Sequence, residues 1–447
     1  MPAHEAAGHG TGTIDTGMVH GLATPWAHFF AAIILGAWLI TSPFSLGYRS
    51  MALTWSDAIS GTLVILFAAI TLVRRSPWAP WASSLVGVWL LFAPLVFWAP
   101  TAAAYVNDTL AGALVIAFVL LMPGMPGMRM LPGPAAPPGW SYNPSTWPQR
   151  APIIALAFLG FFLSRYMTAY QLGYIDTIWD PFFGEGTERV LTSEVSRAFP
   201  IADAGLGAVA YMVEALMGFM GDRQRWRTMP WMVTFFGILV VPLGIVSITL
   251  IILQPVAVGF WCTPCLIAAL AMLIMIALTL DEVVAMGVFL VLARREGQSV
   301  WRAFWLGGTL AAVDPDERPA RPDVVSPRAM VWGVALPWNL LASVAVGLWL
   351  MAAPAVFGTT GRIAHSDHLV GALVVTVAMT ALADVGRAVR FINVLFGAWF
   401  IAAPWVLGGA TTASAWNNVL AGAALILLSL PRGPVGERYG LWQRFIR

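Results

Sequence analysis

The stretch Gly259-Phe260-Trp261-Cys262-Thr263-Pro264-Cys265-Leu266 opens an apolar run that continues to Leu280. The run predicts a helix whose N-terminus carries both cysteines of the chain, spaced as Cys-x-x-Cys. The helix dipole and the unpaired backbone N–H groups at this end favour a thiolate, the reactive form of cysteine. The spacing therefore predicts a dithiol/disulfide couple. The alternative is an ordinary pair of buried apolar cysteines.

A zinc site is not expected here, because no further cysteine and no nearby histidine completes a ligand set. Of the 447 residues, 59% are hydrophobic and only 10% are charged, which is typical of an integral membrane protein. The net charge of +2 argues against a nucleic acid as partner. The first 25 residues carry His4, His9 and His20. They show no cleaved signal peptide, and a disordered tail is favoured over a metal site.

Twelve apolar segments approach the roughly 20 residues that a membrane-spanning helix needs. They predict an all-α polytopic membrane protein of about 12 transmembrane helices, with a central four-helix bundle between two repeat blocks. Two linkers rich in polar residues, Pro or Gly separate the blocks and are expected to be exposed to solvent. The predicted parts are a polar tail (1–25), an N-terminal block (26–122), a Pro/Gly linker (123–150), a central block (151–295), a cytoplasmic linker (296–328), a C-terminal block (329–431) and a cytoplasmic tail (432–447).

The two outer blocks contain an internal repeat. The motif Gly-x-Trp-[Leu/Phe]-x-x-[Ser/Ala]-Pro occurs at Gly36–Pro43, Gly87–Pro94, Gly347–Pro354 and Gly397–Pro404. A second motif, [Ser/Asn]-[Asp/Asn]-x-[Ile/Leu/Val]-x-Gly, follows each copy, as in Ser56–Gly61 and Asn107–Gly112. Each repeat predicts a helix pair in which Pro ends the first helix, the polar residues cap the second, and Gly allows close packing. The pattern resembles the SPW-repeat family, which implies a membrane module with a packing or assembly role.

Arginine placement predicts the orientation, because cytoplasmic loops are rich in basic residues. With a cytoplasmic N-terminus, the arginines at 74–75, 223–227, 294–295 and 387–390 all fall inside, together with the C-terminus. The cysteine end of its helix then falls outside. We therefore expect a multi-pass protein of the cell membrane with both termini in the cytoplasm. Segment 281–295 has an apolar core too short to span, and predicts an amphipathic helix at the inner face.

The central block resembles the vitamin K epoxide reductase family, whose bacterial members couple disulfide formation to quinones. The resemblance rests on the order of Val190–Ser193, Phe199–Ile201, Gly207 with Tyr211, and the Cys-x-x-Cys pair. It implies that Cys262 and Cys265 are the redox pair, with Cys265 facing the quinone. It also implies that Ser193 is the family's loop serine and that Asp203 contacts a quinone oxygen. Asp203 opens a predicted helix, so a capping role is equally compatible.

The chain departs from this family in the loop 174–197. Where members usually carry two further cysteines that relay electrons to a thiol partner, this sequence has Trp179 and Thr187. An external thiol protein must then reach the membrane pair directly, or the protein has another task. The loop combines acidic residues with Trp179, Phe182 and Phe183. It predicts a lid over the quinone pocket rather than an ordinary solvated loop.

These observations favour a quinone-linked thiol/disulfide oxidoreductase acting at the outer membrane face. Its cofactor would be a menaquinone or ubiquinone from the membrane pool, and its partner an extracytoplasmic thioredoxin-like protein. Asp203, Ser193 and Tyr211 are the candidate proton donors. The alternative is a non-catalytic membrane scaffold with a structural disulfide. A transporter ranks third, because only Glu214 places a carboxylate in the middle of a span, where it is costly unless paired or protonated.

Overall fold

The computed structural model describes residues 25–74, 76–121, 131, 133–310, 321 and 326–446. Across these residues the secondary structure is helical, with two isolated β-bridges and no strand. Ten helices in this part of the chain are long and apolar enough to cross a membrane. The chain is therefore an all-α multi-pass membrane protein, as predicted. The N-terminal histidines His4, His9 and His20 lie outside the described residues.

Ten spanning helices and two further helical segments, α1 and α6, occupy the twelve predicted positions. They are α1 (Pro25–Phe30, continued by a π-helical Ala31–Gly36 and by Ala37–Ser45), α2 (Met51–Arg74), α3 (Ala79–Val96), α4 (Ala102–Leu121), α5 (Trp147–Gln171), α6 (Asp203–Phe219), α7 (Pro230–Val258), α8 (Thr263–Arg295), α9 (Trp338–Phe357), α10 (Arg362–Thr380), α11 (Asp384–Leu407) and α12 (Thr412–Ser429).

Each repeat is a pair of helices that cross at two glycines, as the motif predicts. A Cβ atom on Gly61 of α2 would lie 2.5 Å from the carbonyl oxygen of Gly36 on α1. The other three pairs, α3/α4, α9/α10 and α11/α12, have the same glycine–carbonyl approach. Only glycine allows two helix backbones to come this close.

The polar residues of the second motif do not cap their helices, so that expectation is wrong. They lie inside the helices and accept hydrogen bonds from the motif tryptophans of the neighbouring repeat. Trp38 Nε1 donates to Asn107 (2.6 Å) and Trp89 Nε1 donates to Ser56 (3.0 Å). The C-terminal block repeats the exchange, with Trp349 bonded to Asn417 and Trp399 to Ser366. The reciprocal bonds join the two repeats of each block into one unit.

The central bundle consists of α5–α8, with α5 packed against α6 and α8, and α7 packed against α8. The ring of Tyr211 on α6 lies against Gly160 of α5, where a Cβ would come within 2.4 Å. Helix α8 runs without a break from Thr263 to Arg295. The predicted separate amphipathic helix over 281–295 is therefore wrong: these residues continue α8, and Asp281 and Glu282 are buried.

The described part of the first linker is also buried, contrary to the prediction of a solvent-exposed segment. Ser145 donates to Glu282 of α8 (2.5 Å), and Tyr142 donates to Asp281. The ring of Trp140 packs on Tyr439 of the C-terminal tail. These bonds explain the burial of the linker, because its side chains supply donors to two acidic residues in the second half of α8. We call the end of the central bundle that carries Arg225 and Glu282 the arginine-rich end. The opposite end, which carries Cys262 and Cys265, is the disulfide end.

Candidate functional site

The two cysteines form a disulfide at the first turn of α8. Cys262 is the N-cap residue, and its Sγ accepts a hydrogen bond from the backbone N–H of Cys265 (3.2 Å). Pro264 is compatible with this position because the first turn of a helix needs no N–H donor from it. Cys262 is fully buried, whereas Cys265 is partly exposed and lines a cavity of the bundle. The two sulfurs therefore meet different surroundings.

Two residues that the sequence analysis missed hold the pair in place. Met167 of α5 brings its Sδ to 3.5 Å from Cys265 Sγ and 4.0 Å from Cys262 Sγ. The side chain of Gln254, near the end of α7, accepts from the backbone N–H of Cys262 (3.0 Å). Neither residue stands out in sequence, because Met and Gln inside apolar runs are common where no site exists.

The cavity beside Cys265 has a volume of about 120 Å³. This is somewhat less than the ~150 Å³ of an apolar cavity that takes a benzene-sized ring, so the space approaches the size of one small ring. Its walls are mainly apolar, with a few polar side chains. The three candidate residues predicted from sequence, Ser193, Asp203 and Tyr211, all line it together with Cys265. Apolar walls with a few convergent polar groups are typical of a small-molecule site.

Asp203 and Ser193 also have local structural roles. Asp203 is the first residue of α6, and its Oδ1 accepts from Gln171 Nε2 (2.5 Å), from Ser196 Oγ (2.8 Å) and from the N–H of Ala204 (2.9 Å). Ser193 caps the short helix Glu194–Arg197 and donates to Val190 O (2.7 Å). Gln171, which sequence analysis missed, joins α5 to this polar cluster.

Tyr211 and Glu214 lie one turn apart on α6. The hydroxyl of Tyr211 donates to the carbonyl oxygen of Ala268 on α8 (2.9 Å), one turn beyond Cys265. Glu214 is fully buried, and neither of its carboxylate oxygens has a hydrogen-bond partner among the described residues. The bundle therefore contains a carboxyl group for which the packing supplies no donor.

The loop between α5 and α6 is fastened to the disulfide through Asp180. Its carboxylate accepts from Thr263 Oγ1 (2.5 Å) and from Thr187 Oγ1 (2.6 Å). Partial burial opposes ionisation, but these hydrogen bonds outweigh it and hold the pKa of Asp180 below its usual range. Gly186 approaches the carbonyl oxygen of Trp261 so closely that a Cβ would lie 2.1 Å from it. We call these Asp180 contacts the Asp180 clamp. They hold the loop in place, and its residues Ile178 and Leu191 pack in one cluster with Cys262.

The loop between α5 and α6 covers the cavity, but not with the aromatic residues that were predicted to form the lid. Val190, Leu191 and Ser193 line the cavity. Trp179 and Phe182 point away from it, with 72% and 78% of their surfaces exposed. Large exposed aromatic side chains are typical of the membrane–water interface. The aromatic residues are therefore not the cover of this cavity.

Two known protein families match parts of this chain. Residues 151–280 match the Vitamin K epoxide reductase family, and residues 26–122 and 337–431 match the SPW repeat domain. Searches of curated proteins and of solved structures return no match. The chain therefore carries a vitamin K epoxide reductase family domain between two SPW repeat domains. Together with the cysteine pair, this domain supports a membrane thiol oxidoreductase.

Proposed function

We propose that the protein is a quinone-linked thiol/disulfide oxidoreductase that uses Cys262 and Cys265 as its redox pair. One observation carries the proposal: Cys265 lines a ring-sized apolar cavity together with Ser193, Asp203 and Tyr211. A structural disulfide needs no cavity beside it. The family match to residues 151–280 supports the same chemistry.

The residues present fit a quinone ring. The volume approaches that of one ring, the reacting ring of either quinone class, and the hydroxyl and carboxyl groups at the wall are the kind that bind quinone oxygens. A bound quinone supplies a two-electron, two-proton acceptor. We assign its binding to Ser193, Asp203 and Tyr211, with a menaquinone or ubiquinone of the membrane pool as the class of molecule.

The chain's own chemistry is thiol oxidation. In the reduced pair, the helix N-terminus favours the thiolate at Cys262, whose Sγ accepts the backbone N–H of Cys265. The thiol of Cys265, which faces the cavity, loses its proton, and its sulfur forms the S–S bond with Cys262. Two electrons and two protons leave the pair, and they convert one quinone to one quinol. A dithiol partner regenerates the thiols by exchange, becoming oxidised itself.

Protons reach the cavity through the polar cluster at the disulfide end. Asp203 accepts from Gln171 and Ser196, and the backbone N–H of Ser196 donates to Ser193 Oγ. Asp203 is therefore the first candidate to hold a proton beside the ring, followed by Ser193 and Tyr211. The hydroxyl of Tyr211 already donates to a backbone carbonyl, so its role is to position the ring rather than to supply the proton.

We also propose that the disulfide end faces the extracytoplasmic side of the cell membrane, with both termini in the cytoplasm. A thioredoxin-like thiol protein on that side is the partner. Because Cys262 is fully buried under the Asp180 clamp, the partner must displace the loop to reach it. A membrane-impermeant maleimide should label Phe182→Cys, at an exposed position of the same loop, in intact cells; labelling only after lysis would reverse the orientation.

The proposal is tested by quinol formation with purified protein and dithiothreitol as electron donor. We expect Cys262→Ser and Cys265→Ser each to abolish turnover, and Asp203→Asn to slow it at least tenfold. Ser83→Ala, at a buried serine of α3 remote from the cavity, serves as the control and should leave turnover unchanged. Wild-type rates in Cys265→Ser would overturn the proposal.

The second candidate is a non-catalytic scaffold with a structural disulfide. The full burial of Cys262 and its clamp by Asp180 favour it. Quinone reduction by the reduced wild type separates the two functions. A scaffold loses about 2–4 kcal/mol or less of stability on reduction and never reduces quinone, whereas the enzyme reduces quinone whatever the change in stability.

A further inference from the structure

The C-terminal SPW block lies directly against the helices that carry the redox site. Helix α10 packs on both α7 and α8. Between these helices and α9 lies a groove with a cavity volume of about 290 Å³. It follows α8 from Leu266 to Leu273, about 10 Å at 1.5 Å per residue.

The groove is uniformly apolar. Its walls come from Ile, Leu, Val, Ala and Met side chains, and the one hydroxyl, on Thr376, is already donated to the carbonyl oxygen of Ala372 (2.8 Å). No charged side chain lines it. A surface that offers no polar partner accommodates a hydrocarbon segment and excludes a polar headgroup.

Two residues line both the groove and the cavity beside Cys265. Ile251 of α7 and Ala269 of α8 line both spaces, and the two spaces lie on opposite sides of the α7/α8 pair. Ala269 is the smaller of the two, and one side chain from each helix separates the cavity beside Cys265 from the groove beside Leu348.

We propose that the C-terminal SPW block forms the binding groove for the isoprenoid tail of the quinone. The inference rests on the proposed function, because it takes the ring in the cavity as its starting point. The tail leaves the ring between Ile251 and Ala269 and lies along α8 against Leu348 and Val375. The substrate is then a long-tailed quinone of the membrane, and the SPW block determines this specificity.

The adjacency of the two spaces favours the quinone tail over the acyl chain of a bulk lipid. An acyl chain would need only the groove. A tail attached to a ring needs an apolar groove that begins beside the ring, and the shared residues Ile251 and Ala269 mark this position. A lipid occupant is an outcome that the experiment distinguishes.

The test compares a ring-only quinone with the same ring carrying four isoprene units. Leu348 is about half exposed at the groove, so Leu348→Trp should fill the groove without disturbing the packed core. We expect this variant to raise the KM for the tailed quinone about tenfold and to change the KM for the ring-only quinone less than twofold. The matched control is Leu420→Trp on the exposed face of α12, which should change neither value.

Equal changes for both quinones, or no change for either, would overturn the groove while leaving the proposed function intact. Absence of turnover with every quinone would instead remove the proposed function. In that event, a quinone with a photoreactive group on its tail still tests the groove by labelling. Labels on 344–379 that an excess of unlabelled tailed quinone displaces support it. Labels that only phospholipid displaces assign the groove to bulk lipid and overturn it.

Discussion

Two buried glutamates of the central bundle have opposite surroundings. Glu282 forms two 2.6 Å bonds with Arg225, through Nε and Nη2, and accepts from Ser145. Glu214 has no partner for either oxygen among the described residues. A glutamate is thus satisfied at one position and unsatisfied at the other. Replacing the two glutamates should therefore change the free energy of unfolding in opposite directions.

Glu214→Leu and Glu282→Leu form a matched pair. Removing the unpartnered carboxyl relieves a desolvation cost, so we expect Glu214→Leu to raise the free energy of unfolding by about 1–3 kcal/mol. Glu282→Leu leaves Arg225 buried without its counter-ion and should lower it by about 3–5 kcal/mol. Chemical denaturation in detergent measures both. A loss of stability in Glu214→Leu would show that the carboxyl has a partner.

Asp180 fastens the loop between α5 and α6 to Thr263, beside the buried Cys262. Because its pKa is lowered in the folded state, its stabilisation of the closed loop is present above about pH 4 and is lost as the pH falls through the folded pKa. We expect Asp180→Asn to speed reduction of Cys262–Cys265 by a phosphine several-fold at neutral pH. In the wild type, reduction should accelerate only in acid. Equal rates at neutral pH for the variant and the wild type would contradict the clamp.

At the scale of elements, the glycine crossings make a sharp prediction. A Cβ on Gly112 of α4 would lie 2.6 Å from the carbonyl oxygen of Gly87. Gly287 of α8 has nothing within 4 Å of that position. We therefore expect Gly112→Ala to cost about 1–3 kcal/mol of stability and Gly287→Ala to be neutral or to add about 0.5–1 kcal/mol. Unfolding midpoints of the two variants decide the matter, and equal midpoints would contradict the crossing.

The two SPW blocks differ in a buried pair of polar side chains. In the C-terminal block, Asn418 donates to Asp367 (2.8 Å). The N-terminal block has Asp57 within hydrogen-bonding reach of Asp108, both fully buried, and neither oxygen of Asp57 receives a donor. An amide supplies the donor that an ionised carboxylate lacks.

Asp108→Asn and Asn418→Asp exchange these arrangements. We expect Asp108→Asn to raise stability by about 1 kcal/mol and Asn418→Asp to lower it by a similar amount. The amide oxygen that the first variant introduces would still accept from Tyr48, which donates to Asp108 in the wild type (2.9 Å). Thermal unfolding at neutral pH measures both; shifts of the same sign would contradict the comparison.

The elements themselves were largely predictable, because apolar length and the glycine–tryptophan motifs act locally. Their polar contacts were not. The predicted caps Ser56 and Asn107 instead receive bonds from tryptophans of the other repeat, and a motif does not reveal such a partner. Burial of the first linker was missed for the same reason, since Ser145 bonds a residue 137 positions away.

The candidate site was also predictable only in part. Cys265 and Asp203 were found because residue type and order carry information about chemistry, and both line one cavity. Met167, Gln171 and Gln254 were missed, because they act through position and not through reactivity. Their contacts exist only once α5, α6, α7 and α8 have packed.

At the scale of the whole molecule, the three blocks contain one cysteine pair. The linker and the C-terminal tail join the blocks at the arginine-rich end, and the C-terminal SPW block borders the redox helices. Within the chain, Cys262 and Cys265 are the only cysteines. Under the proposed function, electrons therefore enter and leave through this pair.

The most direct test of the central claim is a single-turnover experiment with reduced, desalted protein and a menaquinone or ubiquinone analogue. Protein thiols and quinol are counted in the same sample. We expect two thiols to disappear for each quinol formed, and neither change to occur in Cys265→Ser. Retention of both thiols in the presence of excess quinone, or quinol formation in Cys265→Ser, would contradict the account.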